Sequence, residues 1–142
     1  MKKISVLSAF LAISCLSVLA QKLEVSKIPI AVKNAFAKKY PNTTASWEKE
    51  GLKFKANFKQ NGNTMSALFQ PNGIMTESEM DIKVSDLPTA VVTYVKEHYK
   101  GKTIKEGAII TKLDGTVNYE AEVDGKDLVF SEKRVFLSIS KD

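Results

Sequence analysis

The amino-acid sequence predicts an α+β fold in which a helix followed by an antiparallel β-meander, α-β-β-β-β, occurs twice, with both helices packed on one face of the sheet. Three observations carry this expectation. A helical segment recurs at a constant offset of 59 residues, period-two alternation follows each copy, and Asn-Gly or Asp-Gly pairs punctuate the alternating runs.

The recurrence is carried by Pro29, Ala31, Val32 and Tyr40, which return as Pro88, Ala90, Val91 and Tyr99, with Phe36 matched by Val95. Self-similarity at a fixed period marks one supersecondary unit built more than once. Val32, Ala35, Phe36 and Tyr40 fall at helical spacing in the first copy, as do Val91, Tyr94, Val95 and Tyr99 in the second. Each segment is therefore an amphipathic helix with one apolar stripe. Proline suits the first turn, where a missing N–H leaves nothing unsatisfied. Ser26, and Ser85 or Asp86, stand upstream as candidate N-caps. Pro41 and Gly101 end the helices. The repeats span about residues 24–82 and 83–142.

After each helix the period becomes two. Residues 52–59 alternate apolar and polar without a fault, the pattern of a strand with one buried face. Asn61-Gly62 then makes a two-residue hairpin turn, since both residue types tolerate the positive φ it requires, and residues 64–69 return. Pro71, Asn72 and Gly73 turn the chain again before a last strand over 74–80. In the second repeat residues 118–123 run up, Asp124-Gly125 turns, 128–130 run back and 135–137 close the sheet. Here Ser131-Glu132-Lys133-Arg134 replaces the Pro-Asn-Gly turn, so this last hairpin departs from the first repeat. Residues 44–48 and 108–113 are the expected first strands, followed by Glu50-Gly51 and Asp114-Gly115. Phe54, Ala56, Phe58, Met65, Ala67 and Phe69 are expected under the first helix, and Tyr119, Ala121, Val123, Leu128 and Phe130 under the second. The opposite sheet face is left to water.

Ahead of the repeats, Lys2 and Lys3 precede an uncharged, largely apolar run that ends at Ala20. A basic start, an apolar stretch and a small residue at the cut describe a secretory signal peptide over residues 1–20, cleaved between Ala20 and Gln21. Retention as a membrane anchor, and lipidation at Cys15, are the less favoured alternatives, the latter because Ala12 and the apolar residues after Cys15 fit a lipobox poorly. Cleavage takes 20 residues and two lysines from a chain of 142 residues and net charge +5, leaving 122 residues at +3 with no cysteine. Such a chain folds on its apolar core, without disulfides. The expected location is periplasmic or extracellular, with no stable membrane insertion after cleavage, and nothing in the sequence signals an oligomeric state.

Lys and Glu interleave along most of the chain, a solvated surface and not the clustered basic footprint of a nucleic-acid binder. The single histidine, His98, lies late in the second helix, away from any nucleophile with which it forms a recognisable pattern. Phosphate-binding, dinucleotide and nucleophile-elbow motifs are absent from the sequence, so no enzymatic activity is expected. Glu77, Glu79 and Asp81 alternate on one strand and could offer a face of carboxylates to a hard cation. An exposed acidic edge strand that resists aggregation is the plainer reading. No metal site and no cofactor is assigned.

Alternation names the residues of the open face. In the first repeat these are Lys53, Lys55, Asn57, Lys59, Thr64, Ser66 and Leu68, and in the second Asn118, Glu120, Glu122, Asp127 and Val129. One half is basic and the other acidic, a surface that could steer a partner of complementary charge. Trp47, the only tryptophan, is either a core or edge plug or an exposed aromatic anchor. The expected binding face comprises Lys53, Lys55, Lys59, Ser66, Glu120, Glu122 and Trp47.

The recurring helix, strand, Asn/Asp-Gly turn and strand resemble the PepSY-like, β-lactamase-inhibitor-like family of exported Bacteroidetes proteins. The matching stretches are residues 28–41, 47–58, 67–73, 87–99 and 119–127, which together with their connections cover nearly all of the mature chain. The resemblance implies tandem helix-on-sheet units, a periplasmic or outer-surface location, and a non-enzymatic module that binds, and in the hydrolase-inhibitor sense blocks, another exported protein. No inhibitory contact residue is carried over. A small-ligand or cation binder using the open sheet face is the alternative.

Overall fold

The computed structural model describes residues 21–140, and the expected signal peptide, its cut after Ala20 and Cys15 lie outside them. The elements follow in the order β1 (Gln21–Leu23), α1 (Ile30–Lys39), β2 (Ala45–Glu50), β3 (Lys53–Gln60), β4 (Asn63–Phe69), β5 (Met75–Ile82), α2 (Thr89–His98), β6 (Ile104–Lys112), β7 (Val117–Val123), β8 (Lys126–Ser131) and β9 (Phe136–Ser140). All nine strands form one antiparallel sheet in sequence order, β1 to β9. The architecture is α+β.

Each helix is preceded by a single 3-10 turn, Val25–Lys27 before α1 and Val84–Asp86 before α2. The turns end on buried aliphatic residues, Ile28 and Leu87, which anchor the chain in the core. Pro29 and Pro88 follow in extended conformation at the N-cap positions, one residue earlier than the first-turn position expected for them. Ser26, Ser85 and Asp86 therefore do not cap the helices. Burial of Ile28 and Leu87 fixes where each helix starts, and the cap falls on a proline with no side-chain oxygen to offer. Lys33 and Val92 donate their N–H groups to the carbonyls of Pro29 and Pro88, closing the first helical turn from the backbone alone.

Both helices pack on the same face of the sheet. Val32, Phe36 and Tyr40 meet Trp47, Phe54, Ala56, Phe58, Ala67 and Phe69 in one core, with Met65 at its margin. Val91 and Val95 meet Ala121, Val123, Leu128 and Phe130 in the other, with Tyr119 at its margin. The first core is rich in aromatic contacts. The Phe36 ring lies edge-on to those of Trp47 and Phe58, at centroid separations of 5.3 and 5.1 Å, the tilted arrangement that ring quadrupoles favour. All the strand residues expected beneath the helices are found there.

The hairpins carry the turn chemistry their residues dictate. Asn61-Gly62 and Asp124-Gly125 take positive φ at both positions, joining β3 to β4 and β7 to β8. The last hairpin also forms, although it lacks glycine. Ser131 and Arg134 donate to the carbonyls of Val135 and Ser131, as Gln70 and Gly73 donate to those of Ile74 and Gln70, and Arg134 takes the positive φ that Gly73 takes. Leu52 falls outside the strand expected to contain it and sits in the turn before β3, 83% exposed.

One further expectation changes. The meanders share one continuous sheet, with β5 paired to β4 on one side and to β6 on the other. Glu77, Glu79 and Asp81 are thus on the central strand and protect no edge. The edge beside β2 is filled by β1, a three-residue strand with no alternating pattern long enough to reveal it in the sequence.

Candidate binding face

Cross-strand register shows which side chains share the face that neither helix covers, because directly opposed residues in a ladder point the same way. Lys22, Glu48, Lys55, Leu68, Glu77 and Lys112 form one row across β1 to β6. Lys53 is set against Glu50, and Lys59 against Thr64. Ser66 lies beside Glu79, which is followed by Ile110 and Asn118. Lys53 and Lys55 of β3 are therefore flanked by carboxylates of β2, while Lys59 is not. The basic half is more nearly neutral than alternation within β3 suggests.

The other half is acidic. Asp81, Ala108, Glu120 and Val129 form one row across β5 to β8. The next row is Glu106, Glu122 and Asp127, three carboxylates on three adjacent strands. Like charges in direct cross-strand opposition destabilise a sheet. Asp127 is 7% exposed, Glu122 is half-buried and Glu106 is exposed. Ala108, Ile110 and Asn118 are also buried on this face, outside both helix-covered cores. At one margin of the acidic region Lys112 approaches Glu77 at 3.7 Å. Among the described residues no group of three or more histidine, cysteine or acidic side chains has the geometry to hold a metal ion.

No family model matches the chain, and no curated protein is similar to it in sequence. Solved structures are similar. A BLIP-like protein from Bacteroides fragilis is 27% identical, with a TM-score of 0.62 over 78% of this chain and 83% of that one. The chain shares the fold of the BLIP-like and DUF2874 proteins of Bacteroides. A DUF2874 family protein from Bacteroides uniformis has a TM-score of 0.69 at 17% identity, covering 79% of this chain and 88% of that one. A structure from Bacteroides eggerthii, described as periplasmic, has a TM-score of 0.69 at 17% identity, covering 79% and 87%.

Of the residues expected on the binding face, the sheet carries Lys53, Lys55, Lys59, Ser66, Glu120 and Glu122 on the face its helices leave uncovered. Trp47 does not belong with them. It pairs with Ala56, whose side chain points to the helices, so Trp47 points there too and is 4% exposed against Phe36 and Phe69. An indole on that side of the sheet is a core residue. Sequence reading missed Glu48 and Glu50 opposite the β3 lysines, and Glu106 in the acidic row. Their signal is strand parity, which becomes usable only when the neighbouring strand and its register are known.

Two other features of the molecule lie apart from this face. An open groove of about 610 Å³ runs beside β1, lined in part by Leu23, Val25, Ala45 and Trp47, where β2 continues past its short neighbour. His98 is exposed at the end of α2, stacked on Tyr94 at 4.0 Å, with its Nδ1 2.9 Å from the Tyr94 carbonyl oxygen. Among the described residues no helix is long and apolar enough to cross a membrane.

Proposed function

We propose that the protein is an exported, non-enzymatic module, built from two copies of one helix-on-sheet unit, that binds another exported protein through the sheet face its helices leave uncovered. The observation that carries this reading is the row Glu106, Glu122 and Asp127. A chain with net charge +5 has ample lysine to alternate with these acids, as Lys22, Glu48 and Lys55 alternate on the far side of the same face. Placing like charges side by side works against the sheet locally, and local conflicts of this kind concentrate where function demands them. A partner presenting lysine or arginine to this half would meet the carboxylates of Glu106 and Glu122, the exposed and half-buried members of the row. The β3 lysines and Ser66 would then set its orientation.

The similarity to a BLIP-like protein and to structures described as periplasmic supports both export and the binding role. The basic n-region and apolar run of residues 1–20 support export independently. Affinity capture from a periplasmic extract tests the reading, with wild-type protein compared to the Glu106→Lys/Glu122→Lys variant at low and high salt. A specific protein retained by the wild type, lost with the variant and weakened by salt is the expected result. The same capture profile for both proteins would show that this face is not the binding surface.

A further inference from the structure

We infer that the partner's seat on the uncovered face is built around Asn118 and takes a single arginine side chain. The inference rests on that face being the binding surface and adds what the partner places there. Asn118 is 5% exposed, and its pairing with Ile110 and Ser131 directs its side chain to the uncovered face. Among the described residues no protein group hydrogen-bonds to its carboxamide. None of their side-chain nitrogen or oxygen atoms is both sealed from solvent and unpaired, so this carboxamide opens onto the face through a narrow aperture. Its hydrogen bonds are therefore made outside the chain. Amides set this deep are nearly always paired within the protein, and departures from such rules concentrate at functional sites.

The surroundings of Asn118 give the seat its shape and charge. Beside it on β6 lie Ile110 and Ala108, 6% and 4% exposed and outside both helix-covered cores. On β5 these two are paired with Glu79 and Asp81, and on β7 Ala108 is paired with Glu120. An uncharged strip one strand wide thus runs between two carboxylates on one side and a carboxylate and a carboxamide on the other. The two rims stand two strand spacings apart, roughly 9.6 Å from backbone to backbone. Side chains leaning in from both rims narrow that gap to the width of a planar cation with a hydrogen bond on each side.

The occupant is an arginine because that side chain matches every part of the seat. Its aliphatic stem lies on Ile110 and Ala108, and its positive charge complements the rims. The five donors of a guanidinium form a rigid planar fork, which reaches a carboxylate on each side and the Asn118 carbonyl oxygen together. A lysine ammonium is a compact, strongly hydrated point charge and would stay with one rim. The Asn118 amino group is then left to donate to a backbone carbonyl of the partner. The arginine accordingly belongs to an exposed loop whose backbone comes close to β7.

Titrating the exported protein with N-acetylarginine amide and following its proton–nitrogen NMR spectrum tests this, with N-acetyllysine amide at equal concentration as the ionic-strength control. A saturable shift of the Asn118 side-chain amide signals in the millimolar range is expected, with the lysine compound bound at least about threefold more weakly. Asn118→Leu, which keeps the size of the side chain, and Ala108→Leu, which fills the strip, should each weaken arginine binding about fivefold or more. In these variants the backbone amides of Ile110 and Glu120 are the reporters, and melting temperatures close to the parent's show that the fold is kept. If one variant misfolds, the other and the comparison of arginine with lysine still decide. No saturable shift up to about 50 mM overturns the inference, as does an equal response to both compounds or arginine binding unchanged in both folded variants. A protein captured from periplasmic extract and held equally by the wild type and Asn118→Leu overturns it too, while leaving the binding role of the face in place. Arginine binding with no protein captured counts against the proposed function alone.

Discussion

Gly73 lies against the start of α1 so closely that a Cβ on it would stand 2.6 Å from the carbonyl oxygen of Ala31. Its φ of 88° is also one that L side chains avoid. The β4–β5 turn and the first helix are thus held together by a missing methyl group. Arg134 occupies the matching place in the β8–β9 turn at a φ of 66°.

Gly73→Ala should lower stability by about 2–4 kcal/mol, combining backbone strain with a clash against rigid backbone. Gly125→Ala carries only the strain, since nothing lies within 4 Å of the point its methyl group would occupy, and should cost about 1–2 kcal/mol. Urea denaturation of the two variants side by side checks the difference. Equal losses would mean that the approach to Ala31 is unimportant.

Gly107 and Trp47 hold related places on the helix side of the sheet. Trp47 stands between Leu23 and Ala56, and Gly107 between Ile82 and Ala121. In the first core the indole fills this space. In the second, Leu87 lies over the glycine, its three outer side-chain carbons 3.0–3.2 Å from where a Cβ would be. Gly107→Ala is expected to cost about 1–3 kcal/mol by overpacking. Combined with Leu87→Ala it should cost at least about 1 kcal/mol less than the two single losses together. Strict additivity in chemical denaturation would argue against the contact.

Trp47→Ala should destabilise by about 3–5 kcal/mol, the range for deleting a large buried aromatic side chain. The indole fluorescence of the native protein should be blue-shifted and shielded from iodide. Lys55→Glu, on the opposite face of the sheet, should change stability by less than about 1 kcal/mol. A Trp47 variant as stable as the parent would return this residue to the surface.

The Lys102 ammonium donates to the Asp124 carboxylate at 3.0 Å and holds its pKa below the ordinary carboxylate value, first by that hydrogen bond and then by its charge. A lowered folded pKa contributes stability that is complete above the unfolded pKa and is lost as pH falls through the folded one. Lys102→Met should therefore raise the Asp124 pKa in a carboxyl NMR titration. The stability difference from the parent should be greatest at neutral pH and vanish in strong acid. An unmoved titration would show that the pair is not formed in solution.

Much of this molecule is written locally. Asn61-Gly62 and Asp124-Gly125 determine two hairpins because few other residues tolerate their backbone angles. Alternation through β3, β4, β7 and β8 determines which side chains reach the cores, and the spacing of Val32, Phe36 and Tyr40 determines the buried stripe of α1. The turn before β9 was obscured by Arg134, a residue that takes a positive φ without announcing it.

Tertiary structure decided everything that depends on which strand lies beside which. Only the pairing of β5 with β6 makes one sheet of the two meanders and moves Glu77, Glu79 and Asp81 from a supposed edge to its centre. Only the register of β2 with β3 assigns Trp47 to the core, and only that of β6, β7 and β8 brings Glu106, Glu122 and Asp127 into one row. The physical reason is the same in each case. Alternation along a strand divides its side chains into two sets, but the face each set occupies, and the charges it meets there, are fixed by hydrogen bonds to residues distant in the chain.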